Sequence, residues 1–224
     1  MNKQLVLDKL KAILTIVLVF TAQQFITASI IFTKNPPLAI ALAVIGVIIY
    51  SAVVIVAKPF KMEYAKHWES KAWIKNSVIV VGTYLLMYIS SFIITIIKTI
   101  AHHTEVSANQ DAINSMATNG SMILVVAMVL IAPFFEEVAF RWAIFDKLFH
   151  NYKWYIPFIV SSIVFAGMHV MAGSLFDIWN WLTYLPMAII FSGLYAWRRN
   201  IVLNISVHLL WNLTSVAAML AVLN

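Results

Sequence analysis

The stretch Leu38–Ala57, LAIALAVIGVIIYSAVVIVA, runs for twenty residues without one charged side chain. A helix needs roughly that many apolar residues to cross the hydrocarbon of a bilayer. No polar face recurs along it, as it would on a helix lying between core and water. Blocks of the same kind flank it at Ala12–Thr33 and Ser77–Ile97, and four more follow at Met122–Phe149, Ile156–Ala172, Leu182–Trp197 and Ile201–Leu223. The whole chain is 62% hydrophobic and 11% charged, against about half apolar and a quarter charged in soluble domains. The blocks lack strict alternation, so each is a helix and not a barrel strand. The sequence therefore predicts an all-α membrane protein, a bundle of about seven transmembrane helices. It reads as one polytopic domain over 1–224, with 1–120 holding the first three spans and an outer loop, and 121–224 the remaining four.

The net charge of +6 would suggest nucleic acid in a soluble protein; here it follows from where the cations fall. With the N-terminus cytoplasmic, seven crossings put Lys3, Lys9, Lys11, Lys58, Lys61, Lys66, Lys71, Lys75, Lys147, Lys153, Arg198 and Arg199 inside. Lys34 and Lys98 fall outside, and Arg141 lies within a span. This is the positive-inside bias, and it places the C-terminus outside. Between spans two and three, Lys58–Lys75 interleaves Lys61, Lys66 and Lys71 with Phe60, Trp68 and Trp73. That pattern suits an interfacial helix on an anionic leaflet, or an ordinary cytoplasmic loop. The expected setting is a bacterial cell membrane, with lipid as the solvent and no nucleic-acid partner. The absence of cysteine excludes disulfides, thiolate metal sites and cysteine nucleophiles.

Ionisable groups within spans are costly, roughly 2.5–3.5 kcal/mol each at mid-bilayer on insertion scales, and so mark function. Span four carries three of them: Glu136, Glu137 and Arg141. Glu137 and Arg141 stand four apart with the acid first, the spacing of a helical ion pair. Glu136 points about 100° away and is left for another partner. His169 in span five, and His208 with Asn212 four apart in span seven, fall at overlapping depths of about 10–20 Å by helical rise. Two carboxylates, two imidazoles and an amide thus share one level of the membrane. Asn212 also opens an Asn-Leu-Thr sequon, but its place within a span argues against modification.

At these residues the chain resembles the CAAX protease and bacteriocin-processing (CPBP, or Abi) family of intramembrane endopeptidases, which includes the type II CAAX prenyl proteases. Glu136-Glu137-Val138-Ala139-Phe140-Arg141 matches EExxxR, Phe165–His169 matches FxxxH, and His208–Asn212 matches HxxxN. The resemblance covers about 120–224 and implies that this part is the catalytic core. It implies hydrolysis of a peptide bond in a membrane-associated substrate, with Glu136 and His169 activating water. His208 and Asn212 would then hold the oxyanion, and Glu137 with Arg141 would support them. Metal stays open at this point, either none or a divalent ion such as zinc. The ligands would then be Glu136, His169 and His208, although no HExxH helix is present. Two further classes stand beside this one: a non-catalytic binding or bacteriocin self-immunity protein on the same fold, and a small transporter using the carboxylates as relays.

Overall fold

The computed structural model describes residues 3–57, 72–149 and 151–223. These form eight helices in the order α1 (Lys3–Ile31), α2 (Pro36–Ala57), α3 (Ala72–Ile100), α4 (Ala108–Asn119), α5 (Met122–Glu137, continued as a π-helix over Val138–Leu148), α6 (Tyr155–Val170), α7 (Ile178–Arg198) and α8 (Ile201–Leu223). Each of the seven predicted spans falls on one helix. α2, α3, α5 with its π-helical continuation, and most of α8 are long and apolar enough to cross a bilayer; α6 is apolar but shorter. The chain is an all-helical integral membrane bundle. Most of the proposed interfacial segment, 58–71, lies outside the described residues, whereas Ala72–Lys75 are the first turn of α3.

Burial follows from lipid being the solvent. α3 buries Met87 alone among its residues and turns Val78, Ile89 and Phe92 outward, which no water-facing helix could sustain. α1 and α2 pack against each other, with Gly46 of α2 set against Ala22 and Ile26 of α1. A Cβ there would stand 2.7 Å from Ile26 Cδ1, so the missing side chain lets two backbones meet, as small residues do between membrane helices. α1 also packs on the π-helical part of α5, α6 pairs with α7, and α8 pairs with α5. The core between them is aromatic: Phe140, Phe145, Phe165, Phe191 and Tyr195 are all buried.

At one end of the bundle, Asp146 near the close of the π-helix accepts hydrogen bonds from Tyr195 Oη and, at 2.7 Å, from Arg199 Nη1. Arg199 is the left-handed cap of α7, with φ 49°. Lys9 of α1 lies over the Tyr152 ring at this same end. At the other end, the polar loop of the sequence reading contains a helix, α4. Ser107 is extended and its Oγ accepts from the Gln110 amide at 3.4 Å, which starts α4.

α8 begins where Asn200 Oδ1 accepts from the amides of Val202 at 2.9 Å and Leu203 at 3.3 Å. Asn200→Ala is expected to cost about 1 kcal/mol, the usual loss for an N-cap. Thermal unfolding in detergent would show it as a lowered midpoint with the rest of the bundle unchanged.

Candidate active site

Glu136 and Glu137 end the α-helical part of α5, and both are buried. Glu137 is enclosed completely. Its Oε2 stands 3.2 Å from Arg141 Nε and its Oε1 2.9 Å from His208 Nδ1. A carboxylate only accepts, so Nδ1 of His208 carries the proton and Nε2 is left for other work. That Nε2 lies 3.7 Å from Glu136 Oε2, while Glu136 Oε1 accepts from Gln23 Nε2 of α1 at 3.4 Å. His208 therefore stands between the two carboxylates, bonded to one and facing the other.

Arg141 is fully buried in an aromatic cage. Its guanidinium carbon is 4.9 Å from the Phe165 ring centre, 5.5 Å from Phe191 and 5.8 Å from Phe140. Ring faces suit a delocalised cation where carboxylates are few. Phe191 also lies 4.7 Å from the His208 ring, so the cage and the histidine share a wall. Asn204, one helical turn before His208, donates to the Phe191 carbonyl at 2.8 Å and holds that wall to α8.

Asn212 has a backbone reason for its position. Pro133 has no N–H, so the carbonyl of Val129, four residues earlier, loses its helical donor. Asn212 Nδ2 donates to that carbonyl at 2.8 Å. Asn212→Ala is expected to leave the carbonyl orphaned, at about 1–3 kcal/mol, and to lower the thermal midpoint whether or not a substrate is present.

His169 is held differently. Its Nδ1 donates to the Phe165 carbonyl at 2.9 Å, and its ring stacks on Tyr184 with centroids 4.9 Å apart. Tyr184 Oη in turn bonds Ser107 Oγ at 2.6 Å, tying α7 to the start of α4. Phe165 touches both imidazoles, at 4.8 Å from His169 and 5.6 Å from His208. No hydrogen bond or ion pair joins His169 to Glu136 among the described residues. The structure thus gathers Glu136, Glu137, Arg141 and His208 into one bonded group, holds Asn212 one turn beyond it, and sets His169 across Phe165. Among the described residues no group of three or more His, Asp or Glu side chains is arranged to hold a metal ion, so Glu136, His169 and His208 do not form a ligand set in this geometry.

Sequence reasoning did not anticipate Gln23 or Asn204. The available signal was an amide on an apolar helix, which prefers a buried partner.

Residues 118–214 match the family of Rce1-like type II CAAX prenyl endopeptidases, and all three motifs fall inside that range. This segment is similar to that family. Relatives of the chain include the UPF0177 protein YvdC of Lactococcus lactis, 36% identical over 60% of this chain and 49% of its own. The membrane-embedded CAAX protease MroQ of Staphylococcus aureus is 29% identical over 58% of this chain and 52% of its own. The putative membrane peptidase YdiL of Bacillus subtilis is 28% identical over 40% of this chain and 34% of its own. No solved structure matches. The chain spans between half and about three-fifths of the length of the first curated relatives it matches. The match begins after α3, so Gln23 and the rest of α1 to α3 lie outside the family segment.

Proposed function

We propose that this protein is an intramembrane endopeptidase that hydrolyses a peptide bond of a membrane-associated substrate with water activated between Glu136 and His208. The observation that carries the reading is the pair of contacts at His208: Nδ1 on Glu137 at 2.9 Å and Nε2 facing Glu136 at 3.7 Å. A water beside that pair can reach both groups at ordinary hydrogen-bond distance. Its oxygen bonds to the peptide carbonyl carbon while its proton passes to Glu136, and the carbonyl electrons move onto oxygen. Asn212 spends one N–H on Val129 and has a second for that oxyanion. The carbon–nitrogen bond then breaks, its electron pair goes to nitrogen, and the nitrogen takes the proton back from the Glu136–His208 pair. A carboxylic acid and an amine leave.

Glu137 fixes the His208 tautomer, as the buried acid of a hydrolase triad does, and Arg141 balances its charge. Gln23 orients the second oxygen of Glu136. His169 belongs on the substrate side of the site, since it shares no bond with Glu136. With the orientation that the cations favour, the basic end of the bundle is cytoplasmic and α4 lies outside.

The test uses purified protein in detergent and in liposomes, on a panel of fluorogenic membrane-soluble peptides. Cleavage by the wild type that is lost in His208→Ala supports the reading. Solute transport by the liposomes with no cleavage would replace it with the transporter reading, and peptide binding without either would favour a binding or immunity protein.

A further inference from the structure

His169 is only half-buried, so enclosure does not fix its ring as it fixes Glu137 and Arg141. Its Nδ1 meets the Phe165 carbonyl at 2.9 Å, one turn earlier on α6. A carbonyl only accepts, so Nδ1 carries the proton and Nε2 is the acceptor left to face a substrate. One hydrogen bond still lets the imidazole plane tilt about it. Two aromatic rings limit that tilt: Phe165, centroids 4.8 Å apart at 31°, and Tyr184, centroids 4.9 Å apart at 29°. Phe165 sits on the same helix as His169 and moves with it. Tyr184 sits on α7 and gives the imidazole a reference outside its own helix.

Tyr184 is anchored in its turn. It is buried, and its hydroxyl bonds the buried Ser107 Oγ at 2.6 Å. Asn109 reaches the same hydroxyl. Ser107 is the N-cap of α4, and the start of that helix is pressed against the turn that follows α6: a Cβ on Gly173 would stand 2.8 Å from Ala108 Cβ. The first turn of α4 is thus fixed to α7 by hydrogen bonds and to the end of the His169 helix by close packing. A phenol whose oxygen is held at one end cannot slide or swing, so its face stays where the imidazole needs it.

We propose that Tyr184 is a positioning residue: anchored by Ser107 and Asn109, its ring holds the His169 imidazole in the orientation from which Nε2 meets the substrate. The proposal rests on the endopeptidase reading, in which His169 lies on the substrate side. It also brings the start of α4 into the working site, although Ser107 and Asn109 precede the matched segment 118–214.

Two substitutions separate the ring from its anchor. Tyr184→Phe keeps the stack and removes the hydroxyl from Ser107 and Asn109, whereas Tyr184→Leu removes the stack as well. For a cleaved fluorogenic peptide, kcat/KM is expected to fall about threefold in Tyr184→Phe and about tenfold in Tyr184→Leu, the range that one aromatic pair of ordinary strength controls. In a His169→Ala background neither change should lower it by more than about a further twofold, because a residue that acts through His169 then has nothing to act on.

A second readout is independent of cleavage. Protein carrying carbon-13 at histidine Cε1 is observed by NMR in detergent, and the resonance missing from His169→Ala is that of His169. It is expected to move in Tyr184→Leu, where the ring current of Tyr184 is gone, and part of the way in Tyr184→Phe. Melting curves establish that each variant is folded; if Tyr184→Leu is not, Tyr184→Phe decides by the same two readouts. An unmoved His169 resonance in folded variants, or Tyr184 losses that multiply in full with that of His169→Ala, would overturn the positioning role and leave the hydrolase reading standing. A resonance that moves as expected, in protein that cleaves nothing, would support the hold on His169 and end the hydrolase reading.

Discussion

Glu136→Gln protein is expected to cleave peptide at least about 10²–10⁴-fold more slowly than the wild type, the usual worth of a positioned general base. The amide keeps the size of the side chain and can still meet Gln23, so the fold should be unaffected and KM nearly unchanged. It cannot accept the proton of the attacking water. Glu137→Gln should fail for another reason. Its amide can offer N–H to His208 Nδ1, moving the imidazole proton to Nε2 and turning that nitrogen from acceptor to donor. Turnover measured on folded protein, with the melting curve as control, separates loss of the base from loss of its orientation.

Arg141→Met is expected to be the most destabilising single change in the bundle. Glu137 and Arg141 are wholly buried and 3.2 Å apart, and removing one partner of such a pair typically costs about 3–5 kcal/mol. The cost arises from the carboxylate left behind among Phe140, Phe165 and Phe191, more than from lost attraction. Glu137→Gln combined with Arg141→Met removes both charges, and should recover most of that stability while cleavage stays depressed. Yields and melting curves of the single and double variants in one detergent decide it. A single variant as stable as the wild type would mean that water reaches the cage.

The ion pair shows what the sequence makes legible. Four-residue spacing on one helix survives any tertiary arrangement, so Glu137 and Arg141 could be paired before a fold was known, and the crossing helices could be counted because lipid allows few alternatives. Long-range partners were another matter. His208 bridges two glutamates more than seventy positions earlier, and its spacing to Asn212 says nothing about which carboxylate each meets. The motif offered Asn212 as an oxyanion donor but was silent on its other bond, to the Val129 carbonyl that Pro133 frees and that needs a donor from another helix. The π-helical turn over Val138–Leu148 left no mark in the apolar pattern, since i→i+5 bonding asks for no residue type that an α-helix refuses. His169 and Glu136, placed at one depth by helical rise, make no hydrogen bond or ion pair among the described residues, and Phe165 of the same FxxxH stretch stands against both imidazoles.

A double-mutant cycle in kcat/KM across Glu136→Gln and His208→Ala tests most directly whether these two side chains act as one unit on a single water. The proposed mechanism predicts strong non-additivity, with the double variant no more than about threefold slower than the worse single one. Losses that multiply independently, in folded proteins, would contradict it.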